Sequence, residues 1–291
     1  MSLDPIEQTP HTDLTGKVIK TEEHYFAYGG FSEIYRGRLK DTNEIVAIKL
    51  LRGVHTDPET LEKTTRRIYR ESRVWHDLKH DNILPFLGIS TSGDLGPSPA
   101  LISPLCEEGH VIQYLQRHPE TDRSKLLLQI ARGLDYLHSK DIVHGDLKCN
   151  NILMHKNGYP LLCDFGRSKI LGQAGFTTVF SGTTRYLAPE LLGPEVEDEE
   201  SGISQFVPTL SKQTDVYGFG MIALEILTGN MPFHPITNDF ALILRVKKGI
   251  PSRLAYPAKY ERTWKVVEKC WAKEVSSRPK MSIVVQDLSA L

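Results

Sequence analysis

Cysteine is scarce in this chain. Four in 291 residues, Cys106, Cys149, Cys163 and Cys270, without a CxxC spacing, exclude a disulfide framework, and a chain of this length does not need such staples. A reducing compartment is therefore expected. An excess of either charge is also missing: 35 Lys and Arg face 36 Asp and Glu, a net charge of −1. No global field draws such a chain toward nucleic acid or an anionic membrane, and neither is expected as a partner. Apolar runs fall short of a membrane span, and the opening MSLDPIEQTPHTDL lacks a signal-peptide core. The expectation is a soluble cytoplasmic protein, or a domain of a larger one. Internal repeats and low-complexity tracts are absent, and 40% apolar with 24% charged residues is the composition of an ordinary globular chain.

What is present changes character along the chain. Up to about residue 105, short β-type runs such as YFAYGG, SEIYRGR, EIVAIKLL and PALISPL alternate with turn signals such as Lys40-Asp41-Thr42-Asn43. One helix interrupts them, opened by Asp57-Pro58 and carrying Leu61, Ile68, Trp75 and Leu78 at helical spacings. Beyond residue 110 the periodicity is that of longer helices: Leu127, Ile130, Ala131, Leu134 and Leu137 form one stripe, with further patterns over 215–228, 262–272 and 282–291. The spacing predicts an α+β chain with an extension at 1–20, a small β-rich unit over 21–105 and a larger, mainly helical unit over 106–291. A ligand cleft is expected between two such units.

Four segments, the third in two parts, stand in a telling order. Ala27-Tyr28-Gly29-Gly30-Phe31-Ser32-Glu33-Ile34 supplies glycine, whose bare backbone can approach phosphates closely. Val46-Ala47-Ile48-Lys49 ends a strand on a lysine, and Glu71 follows on the helix. Next comes His144-Gly145-Asp146-Leu147-Lys148-Cys149-Asn150-Asn151, then Asp164-Phe165-Gly166 behind the apolar run Leu161-Leu162-Cys163. Last is Gly182-Thr183-Thr184-Arg185-Tyr186-Leu187-Ala188-Pro189-Glu190. Together they resemble the protein kinase superfamily, from about Phe26 to Leu291.

That resemblance implies a bilobal kinase fold with an ATP cleft, ATP and Mg²⁺ as cofactors, and a protein substrate. Lys49 would hold the α- and β-phosphates and pair with Glu71, Asp146 would be the base, and Asn151 and Asp164 would bind Mg²⁺. Gly29, Gly30 and Ser32 would lie over the phosphates, although Ala27 and Ser32 replace two of the usual glycines. Phe26, Ile34, Ala47 and Leu153 would wall the adenine, with Ser103 as gatekeeper and Pro104-Leu105-Cys106 as hinge. Scaffold roles are implied too: Glu190 pairing with Arg278, and Asp215 capping the catalytic loop.

Lys148, two residues after the aspartate, and Gly182-Thr183 resemble the serine/threonine version of the family. Cys-Trp-Ala-Lys at 270–273 and Arg-Pro-Lys-Met at 278–281 resemble the tyrosine-kinase-like branch, and Asp13-Leu14-Thr15-Gly16 resembles its members from mushroom-forming fungi. Gly145 departs from the arginine that clamps an activation-loop phosphate in many kinases, so ordering of that loop is expected to come from its own packing or from a regulatory partner. Ser168, Thr177, Thr178 and Ser181 remain candidate phosphate acceptors. The alternatives are a pseudokinase scaffold, weakened by retention of Lys49, Glu71, Asp146, Asn151 and Asp164, and a small-molecule phosphotransferase, weakened by the complete Ala188-Pro189-Glu190.

Overall fold

The computed structural model describes residues 11–28, 32–51, 58–170, 184–193, 208–248 and 257–291. Gly29, Gly30, Phe31, Asp57, Thr177, Thr178, Ser181, Gly182 and Thr183, all named above, lie outside the described residues. Two compact units are present. The first holds 1–107 together with 163–166, and the second holds 108–162 and 167–291. Compared with a division at 105, the first unit also takes in the segment around Asp164 and the N-terminal extension.

In the first unit, β1 (Val18–Lys20), β2 (Ala27–Tyr28), β3 (Ser32–Leu39), β4 (Ile45–Leu51), β5 (Gly88–Ser90) and β6 (Ala100–Pro104) form one sheet, with α1 (Pro58–His76) inserted after β4. The order is β1-β3-β4-β6-β5, and β2 also pairs with β3. Alternation along β4 sets the two faces. Val46 and Ile48 are fully buried and join Leu14, Val18, Leu95, Ala100 and Ile102 in a core; each Val, Leu or Ile side chain buried there contributes about 1.5–3 kcal/mol. Ala47 and Lys49 therefore face the other way, because successive strand side chains alternate. Their register partners share that face: Ile34 and Leu101 with Lys49, Arg36 and Ser103 with Ala47.

Helix α1 begins on a proline, whose missing N–H costs nothing at the first helical position. Glu59–Lys63 and Glu62–Arg66 pairs line its solvent side, while Ile68, Glu71, Val74 and Trp75 are buried. The Trp75 indole N–H donates to the Leu84 carbonyl at 2.5 Å, and its ring lies against Phe86 and Phe165, with centroids 5.0 and 5.8 Å away. This fixes the helix, and with it Glu71, one turn earlier.

The N-terminal extension is stitched to the open edge of β5. Leu14 N–H donates to the Ile89 carbonyl at 2.7 Å, Ile89 N–H donates to the Thr12 carbonyl at 3.0 Å, and the Thr15 and Thr91 hydroxyls meet at 2.9 Å. Glycine is required where the segments meet. Gly88 has φ +152, and a Cβ there would lie 2.2 Å from the Thr12 carbonyl oxygen.

The second unit contains α2 (Val111–Arg117), α3 (Arg123–Ser139), β7 (Ile142–Val143), β8 (Ile152–Met154), β9 (Pro160–Leu162), β10 (Lys169–Ile170), α4 (Lys212–Thr228), α5 (Asp239–Lys247), α6 (Glu261–Val267) and α7 (Met281–Ser289). Two antiparallel strand pairs, β8 with β9 and β7 with β10, flank the catalytic-loop sequence. Asp122 caps α3 by accepting from the Ser124 and Lys125 amides, Ser211 caps α4 by accepting from Thr214, and Gly229 ends α4 at φ 77. Helix α4 is buried almost all round, as expected of a central helix. Among the described residues no helix is long and apolar enough to cross a membrane.

Candidate active site

The first unit assembles a charged triad. Lys49 leaves the sheet on the face opposite the core, and its Nζ donates to Glu71 Oε1 at 2.7 Å and Asp164 Oδ1 at 2.8 Å. Glu71 is buried, whereas Asp164 remains half-exposed at 38% of its side chain. Burial works against the Lys49 charge, but Asp164 and Glu71 outweigh it and hold the ammonium well above its ordinary pKa. Lys49 is thus a fixed cation at neutral pH. Asp164 adopts φ 67, a left-handed conformation that aspartate tolerates better than most residues.

Several other first-unit residues named from the sequence, though not Pro104, which pairs with core-facing Val46, share the Lys49 face. Ile34 and Ala47 lie beside it in register, Ser103 is buried opposite Ala47, and Arg36 sits 5.3 Å from the Phe26 ring centroid. Ser32 opens β3 and is buried, and Pro104 closes β6. Cys106 is half-buried, and burial pushes its thiol up to about 11; Cys163 is also raised well above the ordinary value, by burial first and the Asp164 charge second. Neither thiol offers appreciable thiolate at neutral pH.

The second unit holds the other charged cluster, on the loop between β7 and β8. Asp146 is buried, and the donors on its carboxylate include Lys148 Nζ at 2.7 Å and Asn151 Nδ2 at 3.1 Å on Oδ2, and Arg167 Nη1 at 3.3 Å on Oδ1. Asn151 Nδ2 also donates to the Asp146 carbonyl at 2.7 Å. Those bonds occupy the amide nitrogen and orient the amide oxygen the other way. Leu153, two residues on, lies in β8 opposite Leu161.

Asp215 holds this loop from below. One carboxylate accepts His144 N–H at 2.7 Å and Gly145 N–H at 2.9 Å, and a third buried partner, His138 Nε2, lies at 3.0 Å. Arg278 forms a two-pronged pair with Glu190 at 2.6 and 2.9 Å. Both scaffold roles drawn from the resemblance are thereby borne out.

Sequence reasoning missed several members of this cluster. His138, Arg167 and the Tyr186–Glu225 bond of 2.5 Å were not singled out; the one available signal was the position of Arg167 directly after Asp164-Phe165-Gly166. Ser168 needs a correction as a phosphate acceptor. It is buried and donates its hydroxyl to the His144 carbonyl at 3.0 Å, so a phosphate there would have no access and no room.

Chemically, the second cluster offers a buried carboxylate able to accept a proton, and the first offers a fixed cation with a half-exposed carboxylate. Asp164 and Asn151 present oxygen donors, the type a hard cation such as Mg²⁺ takes, and Mg²⁺ commonly completes its shell with waters and substrate phosphates. The donor set fits that ion.

The protein kinase domain family matches residues 22–288. The chain belongs to that family. It is similar to serine/threonine-protein kinase STY17 of Arabidopsis thaliana, 26% identical over 99% of this chain and 47% of the relative. Serine/threonine-protein kinase STY46 of the same plant is also 26% identical, over 92% of this chain and 43% of the relative. Serine/threonine/tyrosine-protein kinase HT1 is 29% identical, over 89% of this chain and 63% of the relative. These relatives belong to the tyrosine-kinase-like branch, and this kinase domain spans about half the length of the first two.

Proposed function

We propose that this kinase domain transfers the γ-phosphoryl group of ATP to serine and threonine hydroxyls of protein substrates. The observation that carries the reading is the Asp146 carboxylate, buried on a loop pinned by Asp215 and bonded to Lys148 at 2.7 Å. Asp146 accepts the substrate hydroxyl proton and orients the attacking oxygen, and Lys148 supplies positive charge where the transferred group gains negative charge. Lys49, held by Glu71 at 2.7 Å, binds the α- and β-phosphates. Asp164 and Asn151 are the residues that would hold Mg²⁺, which when bound neutralises charge on the β- and γ-phosphates. Four free cysteines support a reducing, cytoplasmic setting.

The test is transfer of labelled phosphate from ATP and Mg²⁺ to generic protein substrates, followed by identification of the phosphorylated amino acid. Phosphoserine and phosphothreonine are expected. Phosphotyrosine as the main product, or no transfer at all, overturns the reading.

Adenine recognition is assigned to Phe26, Ile34, Ala47 and Leu153, with hinge bonds from the Pro104 carbonyl and the Cys106 N–H. Small, buried Ser103 sits on the Lys49 face of the sheet, so bulky ATP-competitive inhibitors can reach past it. Ser103→Phe overpacks that space at about 1–3 kcal/mol. Inhibition by such a ligand should weaken roughly 5–150-fold on that basis while the KM for ATP stays put. Equal inhibition of the two forms would refute the placement.

A further inference from the structure

Gly145 has no room for a side chain. Its φ is +75, and a Cβ would lie 2.7 Å from Leu210 Cδ1 and 2.9 Å from the Arg167 carbonyl oxygen. The backbone of Arg167 occupies that space, while its side chain, only 13% exposed, reaches Asp146 Oδ1 at 3.3 Å. The chain directly after Arg167 is tied down. Ser168 Oγ donates to the His144 carbonyl at 3.0 Å, and Lys169 and Ile170 pair in antiparallel register with Val143 and Ile142. The arginine therefore rises from a backbone locked to the loop that carries the base.

We infer that Arg167 is the positioning residue of Asp146: it holds Oδ1 so that the carboxylate keeps its aim during turnover. The inference rests on the proposed role of Asp146 as base.

The division of the carboxylate supports it. Lys148 and Asn151 both bond Oδ2, and Lys148 is the more exposed of the two cations, at 26% of its side chain. When Lys148 turns to the transferred phosphoryl group, Oδ2 loses its cation. Arg167 on Oδ1 then remains, and its planar guanidinium gives up less freedom per bond than an ammonium does. A carboxylate oxygen has two lone pairs, so one bond from Arg167 leaves Oδ1 able to accept the substrate hydroxyl. The contact is shielded from water, so salt screens it little.

The experiment compares wild type, Arg167→Gln and Arg167→Lys for kcat, for KM toward ATP and peptide, and for melting temperature. Arg167→Gln should lower kcat by at least about tenfold, as expected for a misaligned base, with both KM values nearly unchanged. Arg167→Lys should fall between it and wild type. Wild-type kcat in Arg167→Gln overturns the assignment, and so does an equal loss in both variants that follows a drop in melting temperature, which is the signature of a merely structural arginine. If Arg167→Gln does not fold, Arg167→Lys decides alone: a lowered kcat at constant KM supports the assignment and an unchanged kcat overturns it. An inactive wild type would remove the proposed function as well, whereas an active wild type matched by Arg167→Gln removes only the role of Arg167.

Discussion

Asp146→Asn should lower kcat by about 10²–10⁴, the range that a positioned general base contributes, and leave the KM for ATP close to wild type. Asparagine keeps the shape, and its amide oxygen can still accept from a donor such as Asn151 Nδ2. It carries no charge and cannot take the hydroxyl proton. Lys148 and Arg167, now 2.7 and 3.3 Å from Asp146, would lose their anionic partner, so their alignment should relax as well. Asp164→Ala offers the contrast: it should weaken binding of metal and nucleotide together, because it removes a proposed Mg²⁺ ligand and one of the two carboxylates that fix Lys49. Steady-state kinetics with saturating peptide and a separate measurement of nucleotide affinity distinguish the two. Comparable turnover in wild type and Asp146→Asn would remove Asp146 as the base.

Arg278→Ala should cost at most about 3–5 kcal/mol of stability, the penalty for breaking a fully buried ion pair from one side, because Glu190 keeps 30% of its side chain exposed. The Arg278 side chain has no exposed surface. Besides Glu190, it donates to the Ala272 carbonyl at 3.0 Å and the Gln213 carbonyl at 3.2 Å, and it lies 5.0 Å from the Tyr217 ring centroid. Alanine would leave those acceptors unsatisfied and open a cavity against the ring. At about 2–4 °C per kcal/mol for a unit of this size, the melting temperature should fall by at most roughly 6–20 °C. Glu190→Gln should cost less, because it keeps an acceptor for the guanidinium. A shift under about 2 °C for Arg278→Ala, less than 1 kcal/mol on the same scale, would show that the pair stabilises little.

Much of this was legible in the sequence because the motif residues sit where local periodicity is strongest. Alternation in Val46-Ala47-Ile48-Lys49 dictates that the lysine faces away from the core, and the structure places Val46 and Ile48 inside it. The long helices α3 and α4 were readable from their apolar stripes and spacing. Shorter elements were not: β1 and β5 have three residues each, too few for a period to register, and α2 has seven. The helical pattern read over 262–272 ends as α-helix at Val267 and continues in a tighter 3-10 turn from Glu268 to Trp271, since apolar spacing does not distinguish the two. Contacts between distant residues were least accessible. Arg167 and Asp146 stand 21 positions apart, and only the folded chain shows which carboxylate the arginine takes.

The strap of residues 12–15 along β5 has a further consequence, for association. A strand at the end of a sheet exposes unpaired amides and carbonyls, and a second molecule can continue the ladder there. In this sheet β5 is an end strand, and the chain's own Thr12 and Leu14 take up its hydrogen bonds at Ile89, while the buried Leu14 side chain anchors them in the core. The domain thus carries its own edge guard. A shortened chain beginning after Gly16 would lose both the hydrogen bonds and the anchor, and its natural failure would be self-association through β5 rather than a defect in phosphoryl transfer.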